Sequence, residues 1–259
     1  MTGSYERILH EMDGAVAILT LNRPEKRNAL DKQTLQELTD ALGRAAGDER
    51  VRVVLLRAAG PDFCAGADLA QLQRIARGAD AVENLHDATA LGDLFVRMRR
   101  HPSPIVAAVQ GNAIAGGAGL ATACDLVLAA EDASFGYPEI GLGFVPAMVM
   151  ALLRRSVGEK TAFELVALGG RFSAEAARQV GLVNRTFPPA SLDEAALTFS
   201  RDLAQRSASA LELIKRLLYG MDGMAFEAAI ARGAEVNALA RATDDCRAGV
   251  TAFLGGSAD

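Results

Sequence analysis

The chain contains few of the residues that form covalent cross-links or bind metals. Its 259 residues include three cysteines and three histidines. The cysteines are Cys64, Cys124 and Cys246, which are far apart and odd in number, so they exclude a disulfide framework and a Cys-x-x-Cys zinc site. The histidines also lack the spacing of metal ligands. We therefore expect no metal site.

The chain also lacks a basic surplus, an evident leader and a clear membrane span. Its net charge is −5 and its pI is about 5.4, which argues against general nucleic-acid binding. The first ten residues show no basic stretch followed by an apolar one, so no signal peptide is predicted. Residues 102–124 carry no acid or base, but Pro104, Asn112 and several glycines favour a buried strand, turn and helix. We expect a cytoplasmic protein with no membrane or nucleic-acid partner.

Apolar runs alternate with helical patterns in the first two-thirds of the chain. Residues 16–21, 51–56, 105–109 and 125–129 are predicted to be strands. Asp31 is a candidate N-cap for a helix through about residue 44, and further helices are predicted at residues 67–77 and 81–100. Asp13-Gly14 predicts a hairpin before the second strand. Strands that alternate with helices imply an α/β fold with a largely parallel sheet.

From residue 146 onward the chain is mostly helical in pattern, with one short strand predicted at residues 182–187. The predicted helices are residues 147–156, 159–168, 174–179, 192–205, 208–219 and 224–240. We divide the chain into a core at residues 1–190, which holds the candidate site, and a helical C-terminal region at residues 191–259. The apolar faces of that region suit packing on another subunit, and the alternative is packing on its own core.

Two turns of small residues carry the candidate chemistry, at residues 63–68 and 111–121. Each follows an apolar run and opens into a helical pattern. Unobstructed N–H groups in two such turns can point at one carbonyl oxygen and form an oxyanion hole. Glycine and alanine leave that approach open. The alternative is that the glycines serve close helix packing alone.

These turns lie among ordered motifs at residues 21–30, 63–69, 107–119, 135–139 and 181–184. With them the chain resembles the enoyl-CoA hydratase/isomerase family, also called the crotonase family, nearly from end to end. The resemblance implies a spiral of β-β-α units followed by a helical region used for trimerisation. It further implies a homotrimer, or a hexamer of two stacked trimers, and a role in fatty acid metabolism.

The resemblance assigns the oxyanion hole to the backbone N–H groups of Ala65 and Gly116, and the acid/base role to Glu139. Glu139 lies among apolar residues, before a long uncharged run. Burial there would raise the pKa of its carboxyl group and suit proton transfer near neutral pH. The alternative is a surface glutamate that follows a turn proline.

The substrate implied by the resemblance is an acyl-CoA thioester, so coenzyme A enters as part of the substrate and no separate cofactor is expected. Lys26 and Arg27 are candidates for its phosphates, or else solvated loop charges. Ala29, Ala67 and Asp68 correspond to family positions near the adenine and pantetheine.

One position departs from the family pattern. Family hydratases commonly carry a second glutamate three residues after the oxyanion glycine, where this chain has Gly119. Two carboxylates can hold one water, whereas a single carboxylate suits a proton shuttle between carbons. We place Gly119 among the substrate contacts and expect it to leave room for a bulky acyl group or an extra water. The sequence favours an enoyl-CoA hydratase, with an enoyl-CoA isomerase and a weakly catalytic CoA-binding scaffold as alternatives.

Overall fold

The computed structural model describes residues 5–78 and 80–255, so the outer ends of the two predicted regions, residues 1–4 and 256–259, lie outside it. The strands are β1 (Ile8–Asp13), β2 (Val16–Leu21), β3 (Val53–Ala58), β4 (Ile105–Val109), β5 (Asn112–Ile114), β6 (Leu126–Ala130), β7 (Ser134–Gly136), β8 (Arg171–Ser173) and β9 (Arg185–Phe187). The α-helices are α1 (Lys32–Gly47), α2 (Leu69–Ala76), α3 (Ala81–Arg100), α4 (Gly116–Ala123), α5 (Ala147–Val157), α6 (Glu159–Leu168), α7 (Ala174–Gln179), α8 (Leu192–Ala204), α9 (Ala208–Gly220), α10 (Phe226–Arg241) and α11 (Asp244–Gly255).

The main sheet has the order β1-β2-β3-β4-β6-β9. The first two strands form the predicted antiparallel hairpin, and every later pairing in this sheet is parallel. The prediction of a largely parallel sheet is therefore confirmed. The central strands are buried on both faces, which is why their sequences are continuous apolar runs without alternation.

A second sheet, of order β5-β7-β8, was not predicted. Its strands have three residues each, too few to show an alternating pattern. The chain passes from β4 to β5 and α4, returns to β6, and passes again to β7 and α5. This confirms the α/β spiral of β-β-α units that the resemblance implies.

Most predicted helices form within about two residues of their expected bounds. Asp31 caps α1 as predicted, because its Oδ1 accepts a hydrogen bond of 2.7 Å from the Thr34 N–H. Helix α11 was missed, because its sequence has little helical periodicity. Residues 102–124 form β4, β5 and α4, and the described residues contain no helix long and apolar enough to cross a membrane.

The predicted C-terminal region does not stand apart from the core. Helix α8 packs on the main sheet and buries Ala196, Ser200 and Ala204. Helix α10, in contrast, exposes Phe226 and Ile230 to solvent in the single chain. Helix α8 lies after residue 190 in the chain but packs with the core. The division of the chain at residue 190 therefore stays a prediction.

A buried ion pair ties α9 to the core. The Lys215 Nζ donates to Asp125 Oδ2 at 2.7 Å and to the Met98 carbonyl at 2.9 Å. The other oxygen of Asp125 accepts a hydrogen bond from the Tyr219 hydroxyl at 2.7 Å. Burial lowers the pKa of Lys215, and the adjacent Asp125 carboxylate opposes that shift. The pair therefore links α9 to the end of α3 and the start of β6.

We predict that Lys215→Met lowers the free energy of unfolding by about 3–5 kcal/mol, because Asp125 is left buried without its cation. Urea denaturation at one fixed protein concentration measures this change. Arg216→Met is the matched control on the same helix. It removes an exposed ion pair with Glu212 and is expected to cost less than about 0.5 kcal/mol. Equal effects of the two substitutions would contradict the role given to Lys215.

Candidate active site

The two turns predicted to carry the chemistry lie directly against each other. The Cys64 N–H donates to the Asn112 carbonyl at 3.0 Å, and the Ile114 N–H donates to the Cys64 carbonyl at 3.0 Å. A Cβ atom at Gly117 would overlap the Cys64 backbone. Backbone hydrogen bonds therefore fix the distance between the turns. Cys64 is structural here, since burial raises the pKa of its thiol to about 12.

Gly66 brings the first turn up to the start of α4. Its φ is +89°, in the region that favours glycine. A Cβ atom there would lie 2.8 Å from the Ile114 carbonyl oxygen and 3.4 Å from the Gly116 nitrogen. The peptide groups around Gly66 and Gly116 are therefore neighbours, and the methyl group of Ala115 is the side chain beside them.

The hydrogen bonds of the first turn decide which N–H groups can bind a ligand. The Ala65 N–H donates to the Arg27 carbonyl at 3.0 Å, so its assignment to the oxyanion hole is corrected: this amide is already engaged. The Gly66 N–H is hydrogen-bonded to the Cys64 thiol. Within residues 5–78 and 80–255, the N–H of Ala67 has no acceptor, and Ala67 is exposed. The available donor of this turn is therefore the Ala67 N–H, two residues after the Ala65 N–H that the resemblance assigned.

The N–H of Gly116, the other donor that the resemblance assigns, has no hydrogen-bond acceptor in the described part of the chain. Gly116 is half-exposed and is the first residue of α4, whose N-terminal N–H groups have no partner within the helix. A helix N-terminus carries partial positive charge, which favours an oxygen atom with growing negative charge. A Cβ atom added at Gly116 would lie at van der Waals distance, 3.7 Å, from the side chains of Leu30 and Leu91. Apolar side chains therefore flank this amide.

A buried arginine supports the first turn from behind. The guanidinium of Arg23 donates to the Ala29 carbonyl at 2.7 Å and pairs with Asp31 at 3.1 Å and Asp68 at 3.0 Å. The other oxygen of Asp68 accepts the Ala70 N–H at 2.9 Å. These hydrogen bonds, the backbone one foremost, lower the pKa of Asp68. Ala29 and Asp68, predicted as CoA contacts, thus have a structural role within the chain.

Asn28 is a further supporting residue that the sequence did not reveal. It has a φ of +53°, its Oδ1 accepts the Arg23 N–H, and its Nδ2 donates to the carbonyls of Ala59 and Asp62. Asparagine tolerates this left-handed backbone, which was the one available signal. The neighbouring Lys26 and Arg27 are exposed, and Arg27 Nε lies 3.8 Å from Asp62. Their side chains remain accessible to a phosphate.

Glu139 lies on a short 3-10 helix, Pro138–Leu142, that follows β7. The Gly136 carbonyl at the end of β7 accepts the Ala115 N–H at 2.8 Å, which places this segment beside the start of α4. The Tyr137 hydroxyl lies 3.2 Å from the Thr122 hydroxyl of α4 and adds a second link.

The carboxyl group of Glu139 is buried and incompletely satisfied. The residue is 7% exposed, and its Oε2 has no hydrogen-bond partner in the described part of the chain. Burial raises its pKa, and a hydrogen bond from its own backbone opposes that shift in part. The expected direction of the pKa shift is therefore confirmed, and the reading of Glu139 as a surface residue is wrong. A buried oxygen without a partner is available to a bound substrate or water.

Gly119 does not open a pocket, and this corrects the expectation of room for a bulky acyl group. A Cβ atom at Gly119 would lie 2.5 Å from Val149 Cγ2 and 3.0 Å from Phe95 Cζ. The volume beside Gly119 is filled by protein, so the residue is a packing contact. The sequence could not reveal this, because α3 and α5 supply the two side chains from distant positions.

Comparisons with known proteins find relatives that are named as enoyl-CoA hydratases or members of their family. The family model described as enoyl-CoA hydratase/isomerase matches residues 11–256. A Thermus thermophilus protein, provisionally named as an enoyl-CoA hydratase, is 43% identical over 93% of this chain and 95% of its own length. The 2,3-dehydroadipyl-CoA hydratase of Escherichia coli is 37% identical over 92% of each chain. The crystal structure of an enoyl-CoA hydratase from Mycobacterium smegmatis superposes with a TM-score of 0.91, at 34% identity over 97% of each chain.

We predict that Glu139→Gln raises the thermal unfolding midpoint at pH 8 and that this gain disappears toward pH 4. Burial raises the pKa of Glu139 in the folded state above the usual value of a glutamate, so wild-type stability is lost as pH rises through the folded pKa. The glutamine cannot ionise and avoids that loss. Thermal unfolding of both proteins across this pH range measures the difference.

Glu175→Gln is the control of opposite sign. Arg178 lowers the pKa of this exposed carboxylate, so its contribution is present above the unfolded pKa and is lost as pH falls. The variant is therefore expected to be slightly less stable than wild type at pH 8. A Glu139→Gln variant that is less stable than wild type at pH 8, and equal to it at pH 4, would contradict the burial of an ionised Glu139.

Proposed function

Because the chain belongs to the enoyl-CoA hydratase/isomerase family, we propose that it adds water across the double bond of a 2-enoyl-CoA thioester. The observation that carries this proposal is the buried Glu139 carboxyl, whose Oε2 lacks a partner among the described residues, on a segment that lies beside the start of α4, where the Gly66 turn meets the Gly116 amide. A relative that shares 37% identity is named as a hydratase of an enoyl-CoA, which supports the same reaction type.

In the proposed complex the thioester oxygen accepts hydrogen bonds from the N–H groups of Ala67 and Gly116. Addition of a nucleophile at Cβ moves electrons through the double bond onto this oxygen and forms an enolate. Fixed donors are already oriented toward the developing charge, and each is worth about 3 kcal/mol by analogy with measured oxyanion holes. The partial charge at the start of α4 adds to this stabilisation.

Glu139 transfers the proton in both halves of the proposed reaction. Its carboxylate takes a proton from water as the water oxygen bonds to Cβ. The resulting carboxylic acid then gives that proton to Cα as the enolate collapses, which yields a 3-hydroxyacyl-CoA and restores the carboxylate. A raised pKa suits both steps, because the group must accept and release a proton near neutral pH.

Lys26 and Arg27 are the proposed contacts for the phosphates of coenzyme A, because both are exposed beside the first turn. The proposal requires no cofactor other than the CoA carried by the substrate. Ala65, Ala29 and Asp68 contribute indirectly, by holding the turn that presents the Ala67 amide.

The second candidate function is isomerisation of a 3-enoyl-CoA to a 2-enoyl-CoA. The presence of glycine at position 119 favours it, since one carboxylate suffices to move a proton between two carbons of the acyl chain. A weakly catalytic scaffold is the third candidate, and the burial of an unpaired Glu139 argues against it, because burial without function is costly.

We further propose that the protein is a homotrimer or a hexamer and that it is cytoplasmic. Helices α9, α10 and α11 carry large apolar side chains that are more than half exposed in the single chain, namely Ile214, Leu218, Phe226, Ile230, Leu239, Val250, Phe253 and Leu254. Exposed apolar surface on this scale is typical of a subunit interface.

We predict a mass of three or six chains of 27.1 kDa in solution. Light scattering across a dilution series at micromolar concentration measures it. Ile230→Glu, which puts a charge on the exposed face of α10, is expected to reduce the mass, whereas Glu227→Gln on the same helix should leave it unchanged. A monomer mass for the wild-type protein at all concentrations would contradict the proposed interface.

The test of the proposed function is a turnover assay on crotonyl-CoA and on a 3-enoyl-CoA, with hydrated and isomerised products separated. We predict that the wild-type protein forms a 3-hydroxyacyl-CoA from crotonyl-CoA. Glu139→Gln is expected to lower kcat by a factor of about 100 or more, because general acid/base catalysis is removed. Glu131→Gln, at an exposed glutamate directly after β6, is the matched control and should keep full activity. Wild-type turnover of the 3-enoyl-CoA alone would establish the isomerase, and near-normal turnover by Glu139→Gln would remove Glu139 from the mechanism.

A further inference from the structure

We propose that Val149, together with Phe95, determines specificity by committing this site to a single carboxylate. The inference rests on the proposed function, since it concerns the proton transfers made by Glu139. It assigns the reaction preference of the site to a side chain on α5, outside both turns and outside the 3-10 helix that carries Glu139.

The geometry at Gly119 is the basis of the inference. Gly119 lies on α4 three residues after Gly116, and it is buried. A Cβ atom added there would approach Val149 Cγ2 to 2.5 Å, which is closer than real Cβ contacts, and Phe95 Cζ to 3.0 Å. Any side chain at position 119, down to the methyl group of alanine, therefore requires Val149 to move.

Neither blocking side chain is free to move into solvent. Val149 is 2% exposed and Phe95 is 3% exposed, and both belong to the core. Val149 lies in the first turn of α5, shortly after the 3-10 helix of Glu139, and Phe95 lies on α3. Side chains from two separate helices thus fill the space beside Gly119. Their positions are set by the packing of the core.

This packing has a chemical consequence. The resemblance to family hydratases assigns a second water-holding glutamate to position 119, but a side chain there has no space in this chain while Val149 is present. Glu139 must then hold the water and move the proton by itself. Glycine at position 119 and valine at position 149 form a matched pair, and a single substitution at either position cannot install the second carboxylate.

The first test is a thermal double-mutant cycle of Gly119→Ala, Val149→Gly and their combination. Overpacking by Gly119→Ala in the wild-type background is expected to lower Tm by about 4–10 °C. In the Val149→Gly background, Gly119→Ala should lower Tm by less than half as much, because the blocking methyl group is gone. Equal shifts in the two backgrounds would overturn the proposal. The cycle uses no substrate, so its outcome is independent of whether the proposed reaction is correct.

The second test asks whether the pair sets the reaction. Gly119→Glu combined with Val149→Gly is compared with Val149→Gly alone and with Gly119→Gln combined with Val149→Gly, an uncharged control of similar size. The Glu variant is expected to raise the ratio of crotonyl-CoA hydration to 3-enoyl-CoA isomerisation at least tenfold and to add an ionisation to its pH–rate profile. The Gln control should change neither.

A Glu variant with the ratio and pH profile of the Gln control would overturn the role of Val149 in specificity. A wild-type protein that is inactive on both thioesters would instead refute the proposed function.

Discussion

The close approach of two backbone turns is the constraint on which the site depends. The turn around Gly66 and the start of α4 meet backbone to backbone beside the methyl group of Ala115, and hydrogen bonds of 3.0 Å through the Cys64 backbone hold that spacing. The β-β-α spiral makes the contact possible, since β5 carries the chain from the main sheet to the start of α4. Because amide directions follow from the backbone, these donors need no reorganisation when a ligand binds.

The support for these turns comes from polar groups that are themselves buried. Arg23 donates to the Ala29 carbonyl and pairs with Asp31 and Asp68, and Asn28 accepts the Arg23 N–H and donates to the carbonyls of Ala59 and Asp62. In Glu139 a carboxyl oxygen lacks a partner among the described residues, and burial raises the pKa of the group. The polar groups around the first turn therefore hold the backbone in place, whereas Glu139 keeps an ionisable oxygen that is available for proton transfer.

The sequence predicts the parts of the fold that depend on local pattern. The apolar runs of β2, β3 and β4, the cap at Asp31 and the burial of Glu139 all follow from neighbouring residues. The three-residue strands of the second sheet do not, because their pairing partners are distant in the chain and set their conformation.

The errors at the site share that physical origin. Ala65 and Ala67 look equivalent in sequence, and a hydrogen bond to the carbonyl of Arg27, far away in the chain, makes them different. Gly119 suggests empty space in sequence, yet Val149 and Phe95 fill it from two other helices. Residue types indicate the class of chemistry, whereas the availability of each group depends on long-range packing.

The central claim is that the Ala67 and Gly116 amides polarise a thioester carbonyl. Difference infrared spectroscopy of a saturated acyl-CoA, with and without a ¹³C-labelled carbonyl, reports this directly in the carbonyl stretching band. We predict that binding moves the band to lower frequency in the wild-type protein and in Gly116→Ala, which keeps the amide. A bound thioester whose carbonyl band stays at its frequency in water would show that these amides do not polarise it.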